Sequence, residues 1–320
     1  MVDPAAADAF RHMALLYNGP AEYLLALVPF IRAGRARGEA IVVAIPNGNG
    51  QLLRRELDGE SADLTLTDMT QLGRNPARII PELLGFAERN PGRRALCIAE
   101  PAWPGRSAAE LEESARHEDL ANLAFHEVPA TLLCPYNTAA IKRPVLAHVE
   151  RTHPVLVSGG HEHPSSRYSS RHVRLPPGRR LPAPPARAQT LGYERDLRPV
   201  RRFVAASGHR AGMTAERITD LVIAVNELAA NTLRHTSGDG TLTVWHTSAE
   251  LLCQVQDSGV IADPLAGYRM PRADVAGGKG LWLVNQLCDL VERRAGIAGT
   301  VTRLHMRLRS GRKMVTSRTA

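Results

Sequence analysis

The chain has 320 residues, with 40 Lys and Arg against 32 Asp and Glu, for a formal net charge of +8. That length predicts two domains, each large enough to bury its own core, and the aliphatic content excludes a disordered chain. All but three of the forty basic residues are arginine, which reads as GC-rich coding; no zinc-finger spacing or RNA-recognition signature accompanies the charge, so direct nucleic-acid binding is not expected.

No apolar run approaches the roughly 18 to 20 residues that span a bilayer, and the first residues lack the long apolar segment expected of a signal peptide. The expectation is a cytoplasmic protein with no membrane contact. Cys97, Cys134, Cys253 and Cys288 are far apart, among apolar neighbours, with no Cys-x-x-Cys pair. They are expected to be buried free thiols, not metal ligands or disulfides.

From Phe10 the chain alternates between two patterns. Residues 21–37, 76–89, 108–125 and 139–151 have helical spacing; 40–45 is a continuous apolar run that suits a strand covered on both faces, and 64–69, 95–100 and 130–136 continue the strand series. Strands separated by helices of that length predict an α/β domain with a mostly parallel sheet. Pro46-Asn-Gly-Asn-Gly50 follows the first of these strands but lacks the Lys-Ser/Thr ending of a phosphate loop, and is read as a turn of small polar residues.

Residues 158–190 have no sustained period and carry clustered prolines, glycines and arginines, the composition of a semi-stiff linker. A helical segment, 201–210, follows it. A second helix starts where Thr214 can cap it, with Ile218, Leu221, Val222, Val225, Ala229 and Thr232 on one stripe. At about 100° per residue, Glu227 and Asn231 then share a face turned away from that stripe. Two strands, 240–247 and 251–257, come next, and the second runs off its end as Asp257-Ser-Gly259, where glycine allows close backbone approach. After an irregular stretch, 261–276, Gly277-Gly-Lys-Gly280 opens into an apolar helix, 281–291, and offers free N–H groups that suit phosphate. Thr302, Leu304, Met306 and Leu308 alternate with polar residues as a final half-buried strand.

Taken in order, Glu227-Leu-Ala-Ala-Asn231, Asp257-Ser-Gly259 and Gly277-Gly-Lys-Gly280-Leu281 resemble the GHKL ATPase superfamily over about residues 191 to 308. Within it they look most like the anti-sigma factor serine/threonine kinases. The resemblance implies an α+β ATPase sandwich of the Bergerat type with ATP and Mg²⁺ as cofactors. It implies that Asn231 holds the metal, that Asp257 reads the adenine amino group with Gly259 beside it, that Gly278, Lys279, Gly280 and Leu281 surround the phosphates, and that Glu227 is the general base. Two positions depart from the pattern: Val260 stands where many relatives have a second glycine, and Lys279 where arginine is common. The implied partner is a small anti-anti-sigma protein of the STAS type, with a sigma factor competing for the same kinase domain, and a homodimer stays open.

In the amino-terminal half, His12 to Tyr17, Asn75-Pro-Ala-Arg-Ile-Ile80, Glu100-Pro-Ala-Trp103 with Gly105-Arg-Ser107, His117-Glu118 with Asn122, and Leu133-Cys-Pro-Tyr136 are similar to the MEDS sensory domain. That similarity covers most of residues 10 to 156 and implies a RecA-like domain used for sensing. The expected organisation is a sensory domain at 1–157, a linker at 158–190, an ATPase/kinase domain at 191–310 and a tail at 311–320. The function it implies is a signal-responsive kinase acting on a protein Ser or Thr. The alternatives are an anti-sigma module that binds ATP and transfers nothing, and autophosphorylation in the manner of a histidine kinase, for which His117-Glu118-Asp119-Leu120 offers a phosphoacceptor-like box. A phosphoacceptor histidine needs an exposed helix face, and the α/β setting of His117 argues against it.

Overall fold

A computed structural model describes residues 10–60, 64–169, 180–236, 238–271, 278–296 and 299–308. Gly277, the 311–320 tail and linker residues 170–179 lie outside the described residues. The described residues divide into two compact units, one within Met1–Gly178 and Ala262–Trp282, the other within Arg179–Ile261 and Leu283–Ala320. No described helix is long and apolar enough to cross a membrane.

The first unit is built on a seven-stranded sheet, β1 (Arg11–Tyr17), β2 (Ala40–Ile45), β3 (Thr65–Asp68), β4 (Ala95–Ala99), β5 (Ala130–Asn137), β6 (Val155–Ser158) and β7 (His161–Pro164), in the order β3-β2-β4-β5-β1-β6-β7. All pairings are parallel except β6 with β7. Helices α1 (Gly19–Ala36), α2 (Asn47–Glu56), α3 (Met69–Leu72), α4 (Ile79–Glu88), α5 (Ala108–Ala124) and α6 (Arg143–Thr152) connect the strands. Every residue of β2 and of β4 is buried, because side chains alternate between two covered faces. On one face Met13, Leu15, Val43, Ile98 and Leu133 meet Tyr23, Leu27 and Ile31 of α1; on the other Val42, Cys97, Leu132 and Cys134 meet Ile79, Leu83 and Phe86 of α4. Leu265 and Tyr268, from the segment between Asp257 and Gly278, are buried in this second cluster.

Parts of this unit differ from the sequence expectation. The central strand β1 begins with Arg11 and His12, whose polarity masks the apolar run behind them. Where a small polar turn is expected after β2, the chain forms α2, because complete burial of Leu53 and Leu57 outweighs the poor helix propensity of its Asn and Gly residues. The linker region contributes β7, which pairs antiparallel with β6.

The second unit is an antiparallel sheet of β8 (Gln189–Tyr193), β9 (Gly240–His246), β10 (Glu250–Asp257), β11 (Leu290–Gly296) and β12 (Gly299–Arg307), in the order β11-β12-β10-β9-β8. Helices α7 (Arg198–Arg210) and α8 (Ala215–His235) pack on each other and against β8, β9 and β10. Val200, Val204, Leu221, Val225, Leu242, Val255, Leu304 and Met306 are buried in this unit. Helix α9 (Lys279–Leu287) ends earlier than its apolar run suggests. Asp289 leaves the helix for the sheet, its N–H donating to His305 O at 3.0 Å while its carboxylate accepts from the Arg307 N–H at 2.8 Å.

Strand β12 is buried on both faces, not half-buried. Arg303 donates to Gln254 Oε1 at 2.7 Å and to Pro182 O at 2.6 Å, so the extended segment after residue 180 covers its polar face. His305 is 7% exposed, with Nδ1 3.0 Å from Glu250 Oε2 and Nε2 2.8 Å from Glu292 Oε2. Burial alone would lower its pKa, but hydrogen bonds to the two carboxylates and their charges outweigh that and push it up to about 9. A folded-state pKa above the unfolded value means that protonation stabilises the fold. The contribution is complete below about pH 6.5 and is lost as pH rises through about 9, on the order of 3 kcal/mol. Urea unfolding followed at Trp245, with Trp103 and Trp282 replaced by Phe, is expected to give a lower midpoint at alkaline pH, and His305→Gln to flatten that dependence.

Candidate functional site

Thr214 caps α8 by accepting from the Arg217 N–H, and Arg217 in turn forms an ion pair with Asp289. Ile218, Leu221, Val225, Ala229 and Thr232 are buried as the periodicity predicts; Val222 is only partly covered, while Ala224 and Leu228 join the buried face. Glu227 and Asn231 are half-buried, one turn apart on α8. Neither side chain makes a hydrogen bond or ion pair to a described residue. A carboxylate and a carboxamide are thereby left available to a ligand from one rigid helix.

Asp257 ends β10, the strand against which α8 packs. Its carboxylate is fixed from two sides: Oδ2 accepts from Thr232 Oγ1 at 2.8 Å, and Oδ1 accepts from the Gly259 N–H at 2.8 Å. Tyr193 OH lies 2.9 Å from Thr232 Oγ1, and burial raises the phenol's pKa, so it remains a neutral donor to the threonine. Thr300 Oγ1 donates to Gly259 O at 2.7 Å and holds the other side of the turn. A Cβ on Gly259 would lie 2.8 Å from Thr236 Cγ2 and 3.0 Å from Asp257 Oδ1, so no side chain fits there. Each carboxylate oxygen keeps a second lone pair, which suits a ligand amino group. The residues present therefore fit a purine amino group and, at Asn231, a hard cation that takes neutral oxygen donors.

The hairpin partner of this turn is sterically demanding. Gly299 has φ +107°, and a Cβ there would lie 2.0 Å from Asp257 O; nothing lies within 4 Å of a Cβ on Gly296. Gly299→Ala is expected to destabilise the chain by on the order of 1–3 kcal/mol and to weaken nucleotide binding by displacing Asp257, whereas Gly296→Ala changes little. Urea denaturation and calorimetric titration of both variants check this.

Gly278 has φ +74° and is exposed; Lys279, Gly280 and Leu281 form the first turn of α9, whose N–H groups have no partner within the helix. These four residues fall with the first unit, whereas Glu227, Asn231, Asp257 and Gly259 fall with the second. Sequence reasoning missed Tyr193, Thr300 and the polar role of Thr232. Thr232 looks like one more member of the apolar stripe, and only its hydroxyl, immediately after Asn231, signals more.

Two family models match the chain. Residues 11–154 match the MEDS domain, described as the MEthanogen/methylotroph, DcmR Sensory domain, and residues 193–306 match the histidine kinase-like ATPase domain. The chain joins a MEDS domain to a histidine kinase-like ATPase domain. No curated protein matches it. The antiparallel sheet with helices is consistent with such an ATPase domain, and a sensory domain joined to one suggests a signalling kinase or ATPase.

Within the MEDS domain, Tyr17 OH donates to Glu100 Oε1 at 2.9 Å and Asn49 Nδ2 to Glu100 Oε2 at 2.8 Å, near the carboxyl ends of β1 and β4. Burial pushes Glu100 up to about 7 against the lowering effect of those two hydrogen bonds. His117 of α5 is fully buried, the opposite of the exposed face that a phosphoacceptor needs.

Proposed function

We propose that the chain is a signal-responsive kinase that transfers the γ-phosphoryl of ATP to a serine or threonine of a protein partner, with the MEDS domain setting its activity. The observation that carries this reading is the pair Glu227 and Asn231. Two half-buried polar side chains, without partners among the described residues, stand on the helix whose Thr232 fixes Asp257. Bound ATP with Mg²⁺ supplies the transferable group and an electrophilic phosphorus. The protein's residues supply position and charge: Asp257 and Gly259 orient the base, the first turn of α9 with Gly278, Lys279, Gly280 and Leu281 offers N–H groups and one cation to phosphates, and Asn231 gives a neutral oxygen to the metal. Glu227 orients the incoming hydroxyl and accepts its proton.

The partner in this reading is a small anti-anti-sigma protein of the STAS type, and a sigma factor competes for the same domain, which makes the protein a cytoplasmic regulator of transcription. The test incubates the full chain with Mg-ATP and STAS-type proteins from its own genome, and maps phosphoserine and phosphothreonine by mass spectrometry. Transfer supports the reading. Stable, ATP-dependent binding of such a partner with no transfer replaces it with a binding-only anti-sigma module.

A further inference from the structure

Helix α5 has an unusual buried face. Ser107 and Glu110 start it with a reciprocal capping box, yet what it turns inward includes Glu113, Ser114, His117, Glu118 and Asp119. Burying charged groups is costly unless each is compensated, so a charged helix face against a sheet calls for a local cause.

That cause centres on Glu118, where four elements distant in sequence converge. His12 comes from β1, Glu118 from α5, Cys134 from β5 and His153 from the residue after α6; His12, Glu118 and His153 are 1%, 2% and 0% exposed, and Cys134 is 0% exposed. Their ligand atoms all lie within 4.8 Å of one another. Glu118 Oε2 is 3.0 Å from His12 Nε2, 3.4 Å from His153 Nε2 and 3.6 Å from Cys134 Sγ, and Cys134 Sγ is 3.6 Å from His12 Nε2. Zinc–ligand bonds of about 2.0–2.3 Å in a tetrahedron give edges of about 3.3–3.6 Å, close to these four separations.

The surrounding groups leave the right atoms facing inward. His12 Nδ1 is 3.1 Å from Asn122 Oδ1, and His153 Nδ1 is 2.9 Å from Val149 O, so each ring donates its Nδ1 proton outward and turns the Nε2 lone pair toward the cluster. Asn122 is itself held by donating to Glu118 O and Thr152 O. Tyr136 OH donates to Glu118 Oε1 at 2.6 Å, leaving Oε2 as the inward oxygen. His153 Nε2 is fully buried and makes no hydrogen bond among the described residues. Such outward partners orient metal ligands.

We propose that the MEDS domain binds a zinc ion through His12 Nε2, Glu118 Oε2, Cys134 Sγ and His153 Nε2. Thiolate and imidazole are too soft a set for Mg²⁺ or Ca²⁺, and four protein ligands closing a tetrahedron suit a zinc site with no open position. A carboxylate and a thiolate balance the charge of Zn²⁺, which makes the buried centre neutral as a whole. The ion ties central strand β1 to β5, α5 and the end of α6. Cys134, expected from its sequence surroundings to be an inert thiol, becomes a ligand because the fold brings two histidines and a glutamate to it.

The test is elemental analysis of the purified full chain, as isolated and after chelation and reloading with zinc, together with the absorption spectrum of the cobalt-loaded protein. Expected are about one zinc per chain, tetrahedral cobalt bands and a thiolate-to-cobalt charge-transfer band that Cys134→Ala removes and Cys97→Ala leaves. If Cys134→Ala does not fold, the unmodified chain and Cys97→Ala decide the matter through the same cobalt bands. Full-length protein that is isolated without zinc and takes up neither metal overturns the proposal, as does zinc retained at full stoichiometry and affinity in folded Cys134→Ala.

Discussion

Glu227→Ala is expected to bind Mg-ATP as the unmodified chain does and to lose phosphoryl transfer to its partner by about 10²-fold or more. The side chain has no protein partner among the described residues and sits half-exposed on a capped helix, so its removal leaves no buried group unsatisfied. It also leaves Thr232 and Asp257 joined. In the proposed mechanism, what disappears is the carboxylate assigned to accept the hydroxyl proton while the groups around the phosphates stabilise the transferred charge. Asn231→Ala is expected to behave differently, losing metal-dependent nucleotide binding and transfer together. Calorimetry with Mg-ATP beside a phosphotransfer assay separates the two. Transfer by Glu227→Ala at the unmodified rate would remove the general-base assignment while leaving the nucleotide site intact.

The second large effect is expected at Asp257. Asp257→Asn should weaken ATP by about ten- to one-hundred-fold, the cost of on the order of 1.5–3 kcal/mol for a hydrogen bond to a charged acceptor, and should weaken GTP much less. The structure sharpens this expectation, because the carboxylate accepts simultaneously from Thr232 Oγ1 and the Gly259 N–H. An asparagine can satisfy only one of these donors with its oxygen and must turn its NH₂ toward the other or toward the ligand. Thermal unfolding of the same variant distinguishes lost recognition from lost structure. Equal, small losses for ATP and GTP would reduce Asp257 to a turn residue.

How much of this was legible in the sequence depended on range. The parallel character of the first sheet and the helix carrying Glu227 and Asn231 follow from local periodicity, because a strand covered on both faces reads as an unbroken apolar run and an amphipathic helix repeats every 3.6 residues. Strand β1 and helix α2 escaped because their local signals point the wrong way, with Arg11 and His12 opening one and Asn and Gly residues opening the other. The start of strand β11 reads in sequence as the end of a helix because Leu290 and Val291 extend the apolar run of α9.

By itself, then, the sequence determined the order of the motifs and the residue types at the candidate nucleotide site, since each motif is a short run whose chemistry is carried by its own residues. Tertiary structure decided the partners of those residues. Thr232 reaches Asp257 across 25 positions of sequence, and Arg303 is buried because the Pro182 carbonyl accepts from it across 121. It also brought Leu265 and Tyr268 into the core cluster of the first unit and set Cys134 beside His12, Glu118 and His153. Such pairings have no local period, because each is fixed by the burial of whole faces against one another and the need to pair every polar group that is carried inside with them.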